Sequence, residues 1–116
     1  MRRGDILWAD LAPRSGSDQT GRRPVLLVSN DGFNDTPTWR SLIVVPLTTA
    51  VQNQSPTTVH LPLGTASLSR ESLVLGNQIT TLDRTKLLHR IGTLPGLYLQ
   101  QVERAILRAL ALPAIP

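Results

Sequence analysis

The chain has 116 residues, a length typical of one domain with one core, so we treat residues 1–116 as a single domain. With 41% hydrophobic and 17% charged residues, the composition is that of a folded protein and excludes an intrinsically disordered chain. Cysteine is absent, which excludes disulfides and thiolate metal sites, and no apolar run approaches the roughly 20 residues of a membrane span. The sequence therefore predicts a soluble, cytoplasmic protein that does not contact a membrane.

The net charge is +4, and eleven of the twelve basic residues are arginine. A guanidinium group offers a planar fork of donors that suits phosphate and stacks on nucleobases. A GC-rich genome favours arginine codons without any functional cause. The charge therefore permits a nucleic-acid partner but does not require one.

The first half of the chain predicts three strands separated by two polar loops. Strands are expected over Ile6–Leu11 and Pro24–Val28, and a third, fully apolar strand over Leu42–Leu47 should have both faces covered. The segments Pro13–Arg23 and Ser29–Arg40 are polar and are expected to be surface loops, which often carry function.

The second half predicts shorter elements. Strands are expected over Thr57–Leu63 and Ser72–Ile79, followed by a short helix that Asp83 caps and that runs to His89. A last short strand is expected over Arg90–Leu94.

A terminal amphipathic helix is expected between Pro95 and Pro113. Its apolar stripe consists of Leu99, Val102, Ile106, Ala109 and Leu110. Its polar face consists of Gln101, Arg104 and Arg108. Several short strands followed by one such helix predict a mainly β fold, a small antiparallel barrel with a C-terminal helix.

Several catalytic chemistries are excluded by residue type and spacing. The two histidines, His60 and His89, lie in different elements and are expected to be solvated or capping residues, not a catalytic pair. No cluster of Asp, Glu and His has metal-ligand spacing, and no glycine-rich phosphate loop precedes a helix. The remaining polar residues, mainly Arg, Thr, Ser, Asn and Gln, suit the binding and stabilisation of a phosphate.

Four segments, in order, resemble the MazF/PemK/Kid family. They match its Arg-Gly-Asp/Glu opening, its Gly-x-Glu-Gln-x-Gly-x-Arg-Pro-Val-Leu segment, its Val-Pro-Leu-Thr strand and its Asp-Gln-Ile-Arg-Thr-Ile-Asp segment. In this chain the segments are Arg3–Trp8, Gly16–Leu26, Val44–Thr48 and Gln78–Asp83. Each match is weak alone, but the ordered set spans nearly the whole chain.

The resemblance implies a seven-stranded SH3-like barrel that forms a homodimer. It also implies a toxin that cleaves single-stranded mRNA at short sequences without a metal or other cofactor. The products would be a 2′,3′-cyclic phosphate and a 5′-hydroxyl, and a cognate acidic antitoxin would neutralise the toxin. By position, the family's catalytic pair falls on Arg23 and Thr48.

The residue chemistry agrees with these two roles. Arg23 can donate two parallel hydrogen bonds to the scissile phosphate, and Thr48 can donate a third. A free arginine side chain has a pKa about 6 units above neutral, so using it as a base would cost on the order of 8 kcal/mol. The general base stays open. Asp18, where the family usually has Glu, is a candidate for accepting the 2′-hydroxyl proton or for orienting Arg23.

Other side chains are candidates for contacting RNA. These RNA-binding candidates are Ser17, Gln19, Arg22, Asn77 and Gln78. Trp8 is expected to be a core residue, whereas Trp39 lies in a polar loop and either stacks on a base or is merely exposed.

The chain also departs from the family. Thr80 stands where the family usually has Arg, and Leu75 stands where one branch has a catalytic Arg, so that branch's acid–base set is not supported. The alternative is a CcdB-like gyrase-inhibiting toxin without nuclease activity. The chain ends in Pro113-Ala114-Ile115-Pro116, without the Trp-Gly-Ile tail of that group. A third reading is a basic barrel that only binds nucleic acid.

Overall fold

A computed structural model describes residues 1–11 and 21–113 of the chain. This part of the chain forms seven strands and two helices, joined in places by three-residue 3₁₀ turns. The elements are β1 (Asp5–Asp10), β2 (Arg22–Leu27), α1 (Asp31–Asn34), β3 (Ser41–Thr48), β4 (Thr58–Leu61), β5 (Ser72–Leu75), β6 (Thr80–Asp83), β7 (Leu87–Thr93) and α2 (Gly96–Leu110).

All strand pairs of the sheet are antiparallel. The strand order is β4-β5-β3-β2-β1-β7, and β6 pairs with the first half of β3 while β5 pairs with its last two residues. Among the described residues, no pairing joins the two outer strands β4 and β7. The mainly β, antiparallel class with seven strands and a C-terminal helix is confirmed.

Both faces of the central strands are buried, because apolar residues follow one another without polar alternation. One buried cluster lies between the sheet and α2 and includes Leu26, Val45 and Val102. The other lies on the opposite face of β1–β3 and includes Val25 and Val44. The prediction that the third apolar strand has both faces covered is confirmed.

The terminal helix packs through one stripe, as its apolar spacing predicts. Val102 and Ala105 are buried, and the side chains of Gln101, Arg104 and Arg108 are exposed as expected. Leu110, which the spacing places on the apolar stripe, is 51% exposed at the last position of the helix. None of the helices in residues 1–11 and 21–113 is long and apolar enough to cross a membrane.

Two expectations for the second half were wrong. Asp83 does cap a helical turn, accepting the Thr85 amide at 2.9 Å, but the turn covers only Arg84–Lys86. The chain then enters β7, so His89 lies on a strand and not in a helix. The strand expected over Ser72–Ile79 ends at Leu75, and the next three residues form a 3₁₀ turn.

Candidate active site

The ends of β2 and β3 bring Arg23 and Thr48 together. The two strands pair with Val25 opposite Pro46, and continuing this register by two residues sets Arg23 opposite Thr48. Directly opposed residues of an antiparallel pair project from the same face of the sheet. The two side chains therefore lie on one side of the sheet wall.

Arg23 and Thr48 also line the same cavity, which we call the Arg23 cavity. Its volume is about 230 Å³. Its walls are formed by Arg23, Pro24, Leu47, Thr48, Thr49 and Ser72. Among the described residues that line it, one is cationic, three carry hydroxyls and none is a carboxylate. A cavity with this lining suits an anionic group that accepts hydrogen bonds.

Hydrogen bonds to backbone groups hold the hydroxyls of Thr48 and Ser72 in place. Thr48 Oγ1 accepts a hydrogen bond from the Ala50 amide at 3.1 Å, which fixes its rotamer and leaves the hydroxyl proton as the donor. Ser72 is only 4% exposed, and its Oγ donates to the Arg70 carbonyl at 3.0 Å. The Thr48 hydroxyl can therefore donate to a phosphate oxygen from a defined position.

The predicted RNA-binding residues are spread along the molecule. Arg22 is exposed next to Arg23, and the strand register sets it opposite Asp10. Asn77 and Gln78 are exposed on the turn after β5, which packs against α2, and neither lines the Arg23 cavity. The other two RNA-binding candidates, Ser17 and Gln19, lie outside the described residues, as does Asp18, the candidate base or orienting residue.

The two histidines lie on different strands. His89 is exposed on β7, as expected of a solvated residue, whereas His60 is half-buried on β4 and pairs with Glu71. No hydrogen bond or ion pair within the described ranges joins the two histidines. Among residues 1–11 and 21–113, no group of three His, Cys, Asp or Glu is arranged to hold a metal ion.

Trp8 differs from its expected place in the core. It is half-buried and lines a second cavity of about 410 Å³, which we call the Trp8 cavity. The two cavities adjoin, because they share Pro24, Thr49 and Ser72. The other walls of the Trp8 cavity are Trp8, Ser67, Leu68, Ser69, Arg70 and Ile91.

Trp39 lies elsewhere and stacks on another aromatic ring. Its ring centroid is 4.3 Å from that of Phe33, with the planes 7° apart, and it is 45% exposed. It lines neither of the two adjoining cavities.

The residues that sequence reasoning missed are the hydroxyl-bearing Thr49 and Ser72. Ser72 reaches the site only because β5 pairs with β3, where Leu73 lies opposite Thr48. This pairing joins residues far apart in sequence, and no local pattern signals it. Thr49 could have been found from the sequence, because it directly follows the candidate Thr48.

Two carboxyl groups away from these cavities have shifted pKa values. Hydrogen bonds from the Thr85 hydroxyl and amide, aided by Arg40, lower the pKa of Asp83 to about 2. The Arg3 amide and the Asn34 side chain lower the pKa of Asp31. Both carboxylates organise turns, and neither lines the Arg23 cavity.

Known proteins are similar to this chain in sequence and in fold. A family model for "PemK-like, MazF-like toxin of type II toxin-antitoxin system" matches residues 2–110. Endoribonuclease MazF6 of Mycobacterium tuberculosis is 36% identical over 112 residues, which cover 97% of this chain and 98% of the relative. Endoribonuclease EndoA of Bacillus subtilis is 37% identical, covering 97% of this chain and 96% of the relative.

A solved structure of similar fold is a mycobacterial endoribonuclease in complex with its cognate antitoxin. It is 25% identical to this chain, with a TM-score of 0.76 and coverage of 99% of this chain and 97% of the other. The similarity extends over the strands that position Arg23 and Thr48, because the match covers nearly the whole chain.

Proposed function

Because the chain belongs to the PemK-like, MazF-like family of type II toxins, we propose that it is an endoribonuclease that cleaves single-stranded mRNA at a specific sequence without a metal. The observation that carries the proposal is that Arg23 and Thr48 line one cavity with no carboxylate among its described walls. Similar proteins are named endoribonucleases, and a similar fold is found bound to an antitoxin.

The proposed reaction uses the substrate's own 2′-hydroxyl as the nucleophile. Its oxygen forms a bond to the adjacent phosphorus while the bond from phosphorus to the 5′-oxygen breaks. The products are a 2′,3′-cyclic phosphate and a 5′-hydroxyl. Arg23 and Thr48 donate hydrogen bonds to the phosphate oxygens and stabilise the charge of the pentavalent transition state. Arg23 also passes a proton to the leaving 5′-oxygen.

The 2′-hydroxyl proton needs an acceptor, for which Asp18 is the candidate. Asp18→Asn keeps the size of the side chain and removes its basicity. We expect this variant to bind RNA but cleave it slowly, with general-base catalysis worth about 10²–10⁴-fold. Full cleavage by the variant would discard Asp18 as the base without affecting the roles of Arg23 and Thr48.

The proposed partners follow from the same assignment. Two copies of the chain form a homodimer, and a cognate acidic antitoxin binds the RNA-binding surface and blocks it. Arg22 and Arg23 are natural contacts for its carboxylates, since both are exposed at the start of β2. The protein acts in the cytoplasm, where its mRNA substrate is found.

The deciding experiment incubates the purified protein with RNA and with DNA of the same sequence in EDTA. We expect cleavage of RNA alone, and mapping of the new 5′ ends in total RNA should give one short motif. Replacing the ribose at the cut site by 2′-deoxyribose should abolish cleavage. Cleavage of the deoxy-substituted substrate would overturn the 2′-hydroxyl mechanism, and a requirement for a divalent metal would overturn metal independence.

The same experiment separates the alternatives. A CcdB-like gyrase inhibitor or a barrel that only binds nucleic acid would leave the RNA intact. The gyrase reading is not favoured, because the curated relatives described above are named endoribonucleases.

A further inference from the structure

We infer that the Trp8 cavity is a nucleotide subsite, in which Trp8 stacks on a base next to the cleavage point and Arg70 contacts its phosphate. The inference rests on the proposed function, since it places this nucleotide beside the one whose phosphate occupies the Arg23 cavity. The first support is continuity. Pro24, Thr49 and Ser72 form walls of both cavities, so a strand of nucleic acid can pass from one to the other.

The second support is the position of the indole ring. Trp8 lies opposite Pro24 across the β1–β2 pair, so it projects from the face of Pro24 and not from that of Arg23 and Thr48. The two faces meet at the Arg23 cavity, because it lies at the strand ends and both Arg23 and Pro24 line it. Only 3% of the chain is aromatic, and Trp8 is half-buried at a cavity rather than enclosed in either core cluster. A tryptophan held by a strand at the mouth of a cavity is a preformed stacking platform.

The third support is the charge of the cavity wall. Most described arginines use their guanidinium groups within the protein, through carboxylates or backbone carbonyls. These are Arg2, Arg3, Arg40, Arg84, Arg90 and Arg108. Arg70 forms no ion pair or side-chain hydrogen bond with another residue in the described ranges, and its backbone is fixed by the bond from Ser72. Its guanidinium is therefore available to a phosphate.

The fourth support is a strained turn that forms part of the wall. Ala66 and Ser67 have φ angles of 52° and 63°, which L-residues rarely adopt. Strand β7 approaches this turn so closely that a Cβ at Gly92 would lie 2.0 Å from the Ala66 carbonyl oxygen. Strained backbone of this kind clusters at binding sites. The turn brings the hydroxyl of Ser67 to the cavity, where it can bond a base edge.

The test uses the two tryptophans as separate reporters. In Trp39→Phe only Trp8 contributes tryptophan fluorescence, which is excited selectively over that of Tyr98, and in Trp8→Phe only Trp39 does. Each variant is titrated with a random-sequence single-stranded DNA octamer, which has bases and phosphates but no 2′-hydroxyl. A matched abasic octamer supplies phosphates alone. We expect the base-containing octamer to quench Trp8, the abasic octamer to leave it nearly unchanged, and Trp39 to respond to neither.

Equal responses to the two octamers, or no response from Trp8, would overturn the stacking. RNA cleavage by the wild-type protein is measured separately. If the RNA is cleaved but the fluorescence of Trp8 does not change, only the subsite is rejected. If the RNA stays intact, the proposed function is rejected, whether or not the fluorescence of Trp8 changes.

A second measurement tests the cation. In the Trp39→Phe background, Arg70→Ala should weaken octamer binding about tenfold and lower the slope of log affinity against log salt by about 0.7, the value for one lost phosphate contact. The matched control is Arg104→Ala, which removes the same charge from the exposed face of α2. Equal weakening by both variants would show that only net charge matters and would reject Arg70 as a local contact.

Discussion

Two arginines in different regions of the molecule, Arg84 and Arg23, differ in their surroundings. Arg84 lies in the turn before β7 and directs its guanidinium at the end of α1 and at the loop between α1 and β3. It donates to the backbone carbonyls of Trp39 at 3.0 Å, Asn34 at 3.1 Å, Phe33 at 3.0 Å and Thr36 at 2.8 Å. Because these carbonyls take up its donors, Arg84 holds a loop in shape and has little left to offer a ligand.

Arg23 lies in a different setting. It is exposed at the start of β2, and beside it lies a cavity walled by hydroxyls. A guanidinium placed there can meet the phosphate of a bound chain. The difference shows that the surroundings of an arginine, and not its presence, decide whether it holds a loop in place or lines a cavity that suits a phosphate.

Arg23→Ala tests whether Arg23 contributes to cleavage and not to the stability of the fold. We expect RNA cleavage to slow by about 10²–10⁴-fold, because a preorganised charge on the transition state is lost. The free energy of unfolding should change little, since the side chain is exposed at a strand end. Single-turnover cleavage and denaturant melts measure the two effects.

Arg104→Ala serves again as the charge-matched control and should retain the cleavage rate. If Arg23→Ala cleaved at the wild-type rate while the control did too, Arg23 would be a surface cation and the comparison would fail.

Thr48→Val removes a single hydroxyl from the Arg23 cavity and so measures what the Thr48 hydroxyl contributes to cleavage. We expect cleavage to slow by about 10²–10³-fold, since one donor to the transition state is lost. Thr48→Ser keeps the hydroxyl and should recover most of the rate. If serine and valine lowered the rate equally, the loss would come from packing or from the Ala50 contact, not from donation to phosphate.

The central strands were predictable because their signal is local. The apolar side chains of β3 are removed from water only when both faces of the strand are covered, and the two buried clusters cover them. The end of β5 was not predictable. A Cβ at Gly76 would lie 2.7 Å from the Thr57 carbonyl oxygen, so the glycine that follows β5 accommodates a close contact with a segment distant in sequence.

The site was predictable in part for the same reason. Arg23 and Thr48 came from matched motifs, and the strand ends expected from sequence put each where β2 begins and β3 ends. Ser72 and the second cavity depend on how β5 pairs with β3 and on how β7 meets the turn at Ala66. These contacts join segments that are distant in sequence, so they cannot be predicted from composition or from local periodicity.

Arg84→Ala tests the structural side of the comparison. We expect the free energy of unfolding to fall by about 2 kcal/mol, because several charge-assisted hydrogen bonds to carbonyls are lost from a partly exposed loop. Cleavage per folded molecule should stay at the wild-type level, since Arg84 lines neither of the adjoining cavities. Denaturant melts and cleavage assays normalised to folded protein measure the two. A large loss of cleavage at unchanged stability would reverse the roles assigned to these arginines.

The Asp83 carboxylate, which caps the turn that carries Arg84, should make only a small, pH-dependent contribution to thermal stability. Thr85 and Arg40 lower the pKa of Asp83 to about 2 from its ordinary 3.8, so the ionised form stabilises the folded state. This contribution is fully present above the ordinary pKa and is lost as the pH falls through about 4 to about 2. Asp83→Asn keeps an oxygen that can accept the Thr85 amide but removes the charge. Its Tm should lie slightly below that of the wild type at neutral pH, and the gap should close between about pH 4 and pH 2. A gap that stays constant down to pH 2 would mean that the shape of the cap, not its charge, supports the turn.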